Sequence, residues 1–393
     1  MTPTLRTSQQ NSPAQPPAAP AGTASPTALR QRLAELRGPG VAPRPLDARA
    51  LAALAANPGC RRRALLDGAG VDKAALARAL GSPAPFGQSP FAFARGNAFE
   101  ARVTADGGAE LVRLLVRELG EGEPPGPGAV DAPDLTASGP EGRTARTALA
   151  LREATAAGRW AVLDHPMLAL AVAGAPAHLE PDAVVVHPDG GWTVVEIKSF
   201  ALIDGAADPA KAGAAARQAA VYLLALEALA ERLPGPPAGG RVRDRALLVC
   251  PKDFSNLPAA ALLDLRKQRA TTRRQLDRLT RVEEIAAALP AGAGFDPARP
   301  ADELTAAVEA VAAAYAPECL ASCELAFHCR ARARAAGDVR HLGRAVRSEL
   351  GGLTTVDEVL AASRGTAETD DPAVAALRRA AALRAEALGA ACR

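Results

Sequence analysis

The segment LEPDAVVVHPDGGWTVVEIKSF, residues 179–200, decides the fold. Two runs rich in β-branched residues flank a Pro-Asp-Gly-Gly turn, a pattern typical of a β-hairpin. If the two strands pair symmetrically about Asp189, Asp182 lies opposite Glu196, with the side chains roughly 5 Å apart on one face. Strand alternation puts Lys198 on the same face as Glu196. The sequence therefore predicts two carboxylates and one amine at one end of a strand pair.

This arrangement of Asp182, Glu196 and Lys198 is suited to phosphate chemistry with a metal ion. Two facing carboxylates repel each other unless positive charge lies between them, and Mg²⁺ prefers oxygen ligands. A cation so held can lower the pKa of a bound water and stabilise charge on a phosphate, while a lysine can position that water. A surface hairpin with a charged face is the alternative, but Pro181, the hairpin and its apolar outer face favour an active site.

The patterns on either side of the hairpin predict a mixed α/β fold, with a strand cluster flanked by helices. Asp47 is a plausible N-cap. Helices are predicted at 27–37, 47–57, 61–80 (interrupted near Gly68 and Gly70), 143–157 and 212–232, with a helix–strand pair in 91–119, a loop at 120–142, strands within 159–200 and at 245–250, and mainly helix from 256 onward.

The composition sets broad limits. The chain has 393 residues, and its 46 Lys and Arg against 43 Asp and Glu give a net charge of +3, too small to indicate nucleic-acid binding by itself. No apolar run approaches the roughly 18 residues of a membrane span, and the N-terminal residues lack the pattern of a secretory signal. We therefore expect a cytoplasmic protein with no membrane association, in which six cysteines indicate metal binding or buried thiols rather than disulfides.

Two further motifs flank the hairpin, and together with it they carry a resemblance. RGNAFEARV precedes it and ARQAAVYLLAL follows it, the latter with a glutamine and a tyrosine at i and i+4 on one helix face. The set resembles the RecB-like branch of the PD-(D/E)xK nuclease superfamily, whose motifs run G-x-x-x-(H/E), P-D, (D/E)-x-K and Q-x-x-x-Y. The matching pairs here are Gly96–Glu100, Pro181–Asp182, Glu196–Lys198 and Gln218–Tyr222.

The resemblance implies a restriction-endonuclease-like core with a central mixed sheet, helical additions at both ends, and Mg²⁺- or Mn²⁺-dependent hydrolysis of DNA. Asp182 and Glu196 would bind the metal, with the Ile197 carbonyl and Glu100 as further ligands, although many members have His where this chain has Glu100. Lys198 would act on the attacking water. The implied orienting residues, for the DNA strand or for the site, are Gln218 and Tyr222.

The cysteines extend the resemblance. Cys60 stands alone in NPGCRRR, and three cysteines follow in PECLASCELAFHCRAR, spaced C-x3-C-x5-C. Four thiolates can hold an iron–sulfur cluster, and the pattern resembles the iron-staple nucleases, namely the AddB-type nuclease domain and the CRISPR-associated adaptation exonucleases, whose tail spacing begins C-x2-C. A structural [4Fe–4S] cluster is implied on Cys60, Cys319, Cys323 and Cys329; zinc on these cysteines, with His328, is the alternative.

Basic residues provide candidate DNA contacts. Between 266 and 281 one helix is predicted, and Lys267, Arg274, Arg278 and Arg281 recur along it at 0, 7, 11 and 14, which forms a stripe. Such a stripe attracts a phosphate backbone, although a charged helix can also be only a solvated face. The residues 61–63, three arginines beside Cys60, are a second candidate contact.

The sequence thus predicts a DNA nuclease of repair, recombination or phage defence, with DNA as its partner and a helicase or another repair or defence protein as a further partner. A nuclease-like scaffold that binds DNA without cutting it, a zinc-stabilised interaction module and a CRISPR spacer-acquisition exonuclease are the alternatives. The expected organisation is a disordered tail at 1–26, a helical segment with Cys60 at 27–95, the nuclease core at 96–255, a basic and Cys-rich segment at 256–335 and a helical extension at 336–393.

Overall fold

The computed structural model describes residues 26–83, 90–120, 122–173, 175–233, 241–253, 255–366 and 370–391. The expected disordered tail at 1–26 lies outside these ranges except for its last residue. Among the described residues, no helix combines the length and apolarity that crossing a membrane requires.

Seven helices of the described chain precede the sheet. Asp47 and Asp72 cap the second and fourth of them, since each carboxylate accepts a hydrogen bond from a main-chain N–H three residues later. The helices are Pro26–Arg37 (α1), Ala48–Ala56 (α2), Arg61–Gly68 (α3), Lys73–Ala79 (α4), Pro90–Val103 (α5), Ala105–Leu119 (α6) and Gly139–Ala157 (α7).

The helix–strand pair predicted in 91–119 is wrong, because this segment forms α5 and α6, with a sharp kink near the start of α6. At the kink Asp106, Gly107 and Gly108 all have left-handed backbone angles, which glycine adopts at little cost. Gly108 also lies against Val162, where an added Cβ would come within 2.7 Å of that side chain. Beyond the kink, the apolar residues of 111–116 recur at helical spacing and are buried on one face.

A mixed five-stranded sheet forms the centre of the fold, in the order β1-β4-β5-β6-β7, and β2 and β3 form a separate pair. β5 and β6 are parallel, and the other neighbouring strands are antiparallel. The strands are Ala161–Asp164 (β1), Leu168–Val172 (β2), Ala175–Leu179 (β3), Ala183–Val186 (β4), Trp192–Ile197 (β5), Arg245–Pro251 (β6) and Pro258–Asp264 (β7). The mixed α/β class with a sheet flanked by helices is confirmed.

The hairpin of β4 and β5 has the predicted register. Ala183 pairs with Val195 and Val186 pairs with Trp192, so the pairing is symmetric about Asp189. Its turn contains Gly190 in a left-handed conformation, and the Asp189 carboxylate accepts a hydrogen bond from the Gly191 N–H at 2.8 Å. Extending the same register by one step places residues 182 and 196 opposite each other.

Helices cover both faces of the sheet. The long helix Pro209–Ala230 (α8) packs on the face that carries Val184, Val186 and Val194. Helix α6 packs on the opposite face, against Val185 and Val195. Side chains of α1 to α4 join the same core cluster as α8. Alternating residues of β5 therefore face different helices, as strand geometry requires.

The chain after the sheet is mainly helical, but β7 and the end of the basic helix differ from expectation. Residues 258–264 form a strand beside β6, whereas helix was predicted. The single basic helix predicted over 266–281 is wrong, since it ends at Leu276. The later helices are Arg266–Leu276 (α9), Val282–Ala287 (α10), Ala301–Glu309 (α11), Ala326–Ala336 (α12), Arg344–Glu349 (α13), Val356–Arg364 (α14) and Pro372–Ala391 (α15), with 3₁₀ turns at Pro317–Ala321 and Val339–Leu342.

Candidate active site

The hairpin brings Asp182, Glu196 and Lys198 together at one end of the sheet. Asp182 immediately precedes β4, and Lys198 immediately follows β5, on which Glu196 lies. The Lys198 ammonium forms an ion pair with Glu196 Oε1 and lies 3.6 Å from Asp182 Oδ2. The main-chain N–H of Ile197 donates a hydrogen bond of 2.6 Å to the same Asp182 oxygen. The positive charge that the facing carboxylates require is thus supplied here by Lys198.

Burial dominates the electrostatics of these groups. Glu196 is 0% exposed, and burial raises its pKa to about 8 although Lys198 acts in the opposite direction. Burial likewise raises the pKa of Asp182, against the lowering effect of Lys198. Burial alone would lower the pKa of Lys198, but the two carboxylates more than offset it, so the lysine keeps its charge.

A second group of side chains reaches the site from α5 and from the end of β1. His165 Nε2 lies 3.0 Å from Glu100 Oε1, and His165 Nδ1 lies 2.9 Å from Asp164 Oδ1. The main-chain N–H of His165 also donates a hydrogen bond to the main-chain carbonyl of Asp182 at 3.1 Å. Hydrogen bonds to Asp164 and Glu100 raise the pKa of His165 to about 10. The structure therefore brings Glu100 to the hairpin through His165.

His165 and Asp164 were missed by the sequence reasoning. His165 has a φ of +46°, a left-handed conformation that is uncommon for residues other than glycine and is found in functional sites. The signal available in the sequence is Asp-His-Pro at the end of the first predicted strand, where polar residues follow an apolar run. This signal becomes informative only with the contact between His165 and Glu100, which lies far upstream in the sequence.

Gln218 and Tyr222 support the hairpin from α8. The Gln218 side-chain amide donates to the Tyr222 hydroxyl at 3.2 Å, and this hydroxyl donates to the Glu180 carbonyl at 3.0 Å. Tyr222 is 4% exposed, and burial raises the pKa of its phenol. Tyr222 is buried and holds the segment that leads into Asp182 through this hydrogen bond. Gln218 is only partly buried.

The donor set fits a hard divalent cation. Four carboxylates (Glu100, Asp164, Asp182 and Glu196) face one ammonium and one imidazolium, which leaves two negative charges when all are ionised. Apart from the ion pair of Oε1 with Lys198, the oxygens of buried Glu196 have no partner among the described residues, and neither accepts a hydrogen bond of good geometry. Such oxygens are costly to bury without a partner. Within the described ranges, no group of three or more His, Cys, Asp and Glu side chains is arranged to hold a metal ion as the side chains stand, so the fit is one of donor chemistry and charge.

The four cysteines of the expected cluster lie in one region of the fold, although among the described residues they do not form a group that could hold a metal ion as the side chains stand. Cys60 precedes α3, and Asn57, one turn before it, donates a hydrogen bond to Cys319 Sγ at 3.5 Å. Cys329 is close enough to Cys60 and Cys319 for both to raise the pKa of its thiol, which burial raises most. Cys329 also influences Cys323. All four are free thiols in the structure.

The basic residues divide into two groups. Lys267, Arg274, Arg278 and Arg281 are exposed, but the last two lie beyond the end of α9, so the four do not form a stripe on one helix. In the second candidate DNA contact, Arg61 is exposed, whereas Arg62 and Arg63 are buried and bond to the Cys-rich segment. The expectation that all three contact DNA is therefore wrong.

Comparison of the chain with protein-family models, with curated proteins and with solved structures finds no match. The functional assignment therefore depends on the residues of the site itself.

Proposed function

We propose that the chain is a metal-dependent DNA nuclease with a restriction-endonuclease-like core of the PD-(D/E)xK, RecB-like kind. The observation that carries the proposal is the hairpin end, where the carboxylates of Asp182 and Glu196 face each other and the Lys198 ammonium contacts both. A surface hairpin with incidental charges would leave them in water, but Glu196 is fully buried and has raised pKa. Perturbed carboxylates of this kind are concentrated at functional sites.

The residues that would hold Mg²⁺ or Mn²⁺ are Asp182, Glu196 and Glu100, with the carbonyl of Ile197. The bound cation would polarise a phosphate and make an attacking water more acidic. A hard cation is favoured over a soft one because all these donors are oxygens.

The other side chains have supporting roles in the proposal. Lys198 remains charged beside both carboxylates, so it can position the attacking water or offset charge that develops on the phosphate. The His165 ring contacts the Glu100 carboxylate through Nε2, and the His165 main-chain N–H donates to the Asp182 main-chain carbonyl, so His165 positions both residues. Tyr222 fixes the segment before Asp182, which keeps the carboxylate in register with Glu196.

The exposed basic residues after β7 provide a surface for the DNA backbone. Lys267 and Arg274 on α9 have no acidic partner in the described structure, whereas Arg269 and Arg273 of the same helix pair with buried Glu227. Unpaired surface cations attract phosphate more strongly than neutralised ones. Arg278, beyond the helix, would extend this surface, and Arg281 would add to it less strongly because it pairs with Glu283 at 3.4 Å.

The cysteine centre is proposed as a structural [4Fe–4S] cluster, with zinc as the alternative. Its four cysteines come from the two ends of the folded core, so a metal centre there would hold these ends together. DNA repair, recombination or phage defence is the proposed setting, and spacer acquisition in a CRISPR system is the alternative. A helicase or another repair or defence protein remains the proposed partner besides DNA.

The test is cleavage of single- and double-stranded DNA with Mg²⁺ and with excess chelator. Asp182→Ala and Lys198→Ala are expected to lose roughly a hundredfold or more of the cleavage rate, while both still fold and keep much of their DNA affinity. Asp189→Ala is the matched control, because Asp189 is an acid of the same hairpin that pairs with Arg243 at the turn. Cleavage by Asp182→Ala at the wild-type rate would refute the proposal. A wild-type protein that binds DNA without cutting it would support the scaffold alternative.

A further inference from the structure

Arg62 is a buried cation whose usual type of partner is missing. Its side chain is 7% exposed, and the structure gives it no carboxylate within ion-pair distance among the described residues. The guanidinium instead donates to the Val311 carbonyl at 3.2 Å and to Cys329 Sγ at 3.2 Å. Arg62 therefore points at one of the four sulfurs of the cysteine centre.

The next residue, Arg63, has the acidic partner that Arg62 lacks. Arg63 is equally buried, but Asp67 lies 3.0 Å from its Nε, and Lys73 completes a network around the same carboxylate. A buried charge without a counter-charge is strongly unfavourable. A neutral thiol is a weak acceptor, so it compensates Arg62 poorly. A thiolate bound to a metal carries the negative charge that Arg62 lacks.

The other sulfurs lie in the same polar environment. Asn57 donates to Cys319 Sγ at 3.5 Å. Arg63 Nη1 donates to the carbonyl of Ser322, the residue before Cys323, at 2.5 Å. One short segment, residues 57–63, thus supplies Cys60 together with the side chains that face the three distant cysteines.

We propose that Arg62 is the counter-charge of a metal–thiolate centre formed by Cys60, Cys319, Cys323 and Cys329, and that it raises the reduction potential of an iron–sulfur cluster held there. This inference rests on the cysteine centre of the proposed function, but not on nuclease activity. Uptake of one electron from an external reductant adds one negative charge to the cluster. A guanidinium beside a ligand sulfur stabilises this more negative state, because hydrogen bonds and nearby charge set cluster potentials.

The chain offers a matched pair of arginines for the test. Arg61 directly precedes Arg62 in the first turn of α3, but it is exposed, and among the described residues its side chain forms no hydrogen bond to a cysteine sulfur. Full-length wild type, Arg62→Met, Arg62→Lys and Arg61→Met would be reconstituted anaerobically with Fe²⁺ and sulfide. Iron and sulfide content, visible absorption and a dithionite titration would then be measured for each.

Arg62→Met is expected to shift the reduction potential to more negative values, whereas Arg62→Lys stays near wild type because it keeps the charge, and Arg61→Met does not change it. Equal potentials for Arg62→Met and Arg61→Met would overturn the inference. If Arg62→Met does not fold, Arg62→Gln replaces it, since it is polar like Arg62→Lys but uncharged. Equal potentials for the Gln and Lys variants would then overturn it.

The same comparison covers the zinc alternative. If wild type takes up Zn²⁺ rather than iron and sulfide, Arg62→Met is expected to lose zinc to a chelator about tenfold more readily than Arg61→Met, and equal loss would overturn the inference. Wild-type protein that takes up neither metal would also overturn it, even if the protein cleaves DNA. A cluster whose potential depends on Arg62 in a protein that does not cleave DNA would refute only the nuclease proposal.

Discussion

The raised pKa of Glu196 predicts that Mg²⁺ affinity rises steeply with pH. A cation binds the ionised carboxylate, and a pKa of about 8 means that this group releases a proton when the metal binds at neutral pH. With that pKa, about 1% of the carboxyl is ionised at pH 6 and about 50% at pH 8, so the affinity is expected to increase roughly 50-fold between them. The increase should level off above about pH 9.

The same carboxyl affects the stability of the metal-free protein. Its pKa is raised from 4.5 in the unfolded chain to about 8 in the folded one, so the folded state binds the proton more tightly. The contribution to stability is fully present below pH 4.5 and is lost as the pH rises through 8. Each pKa unit corresponds to about 1.4 kcal/mol, which sets an upper limit on the order of 4–5 kcal/mol for the loss. Mg²⁺ should restore stability most strongly at high pH.

The assay combines calorimetric Mg²⁺ titration with urea unfolding from pH 5 to 9. Titration in two buffers of different protonation enthalpy counts the protons released. Glu196→Gln should show a flatter pH dependence of stability and lose Mg²⁺ binding, whereas Asp189→Asn, at the exposed hairpin turn, should behave like wild type in Mg²⁺ binding. A change in wild-type affinity of less than about threefold between pH 6 and 8 would refute the electrostatic reasoning.

Two further predictions concern buried polar groups next to the central sheet. Tyr222→Phe removes the donor to the Glu180 carbonyl, so the free energy of unfolding should fall by about 1 kcal/mol and cleavage should slow. Tyr315→Phe is the control and should change neither. Equal effects of the two variants in urea unfolding and in cleavage would contradict this prediction. Burial lowers the pKa of His187 to about 4, so the contribution of His187 to stability should fall as the pH drops from 6.5 to 4, because only the unfolded chain takes up the proton; this fall opposes the gain from Glu196 over the same range. His187→Gln should remove this contribution, so in urea unfolding its stability relative to wild type should rise as the pH drops from 6.5 to 4, and a constant difference between the two proteins would contradict this.

The hairpin could be predicted because its information is local. The alternation of apolar residues and the Asp189-Gly190-Gly191 turn fix which residues pair, and the observed register follows from them. The same alternation places Glu196 on the face covered by α8 and Val195 on the face covered by α6. Three residues of the site were therefore accessible from one continuous segment.

Elements that depend on distant partners could not be predicted in this way. The segment 258–264 is PAAALLD, whose Ala and Leu favour a helix, but pairing along the whole of β6 makes it a strand. The apolar run of α6 is short enough to be taken for a β-strand. Only the glycines at the kink before it mark the start of a new helix. His165 gains its role from Glu100, which no local pattern connects to it.

The contacts of residues 57–63 with the Cys-rich segment have a consequence for biosynthesis. Asn57, Arg62 and Arg63 bond to partners 257 to 267 residues later in the chain. At roughly 5–20 residues per second of translation, about 15 to 50 s pass between the emergence of Cys60 and that of Cys319. During this interval the first cysteine has none of its later neighbours, so its thiol is unprotected from oxidants and free metal ions. If the proposed metal centre forms, its assembly would have to wait until nearly the whole core has left the ribosome.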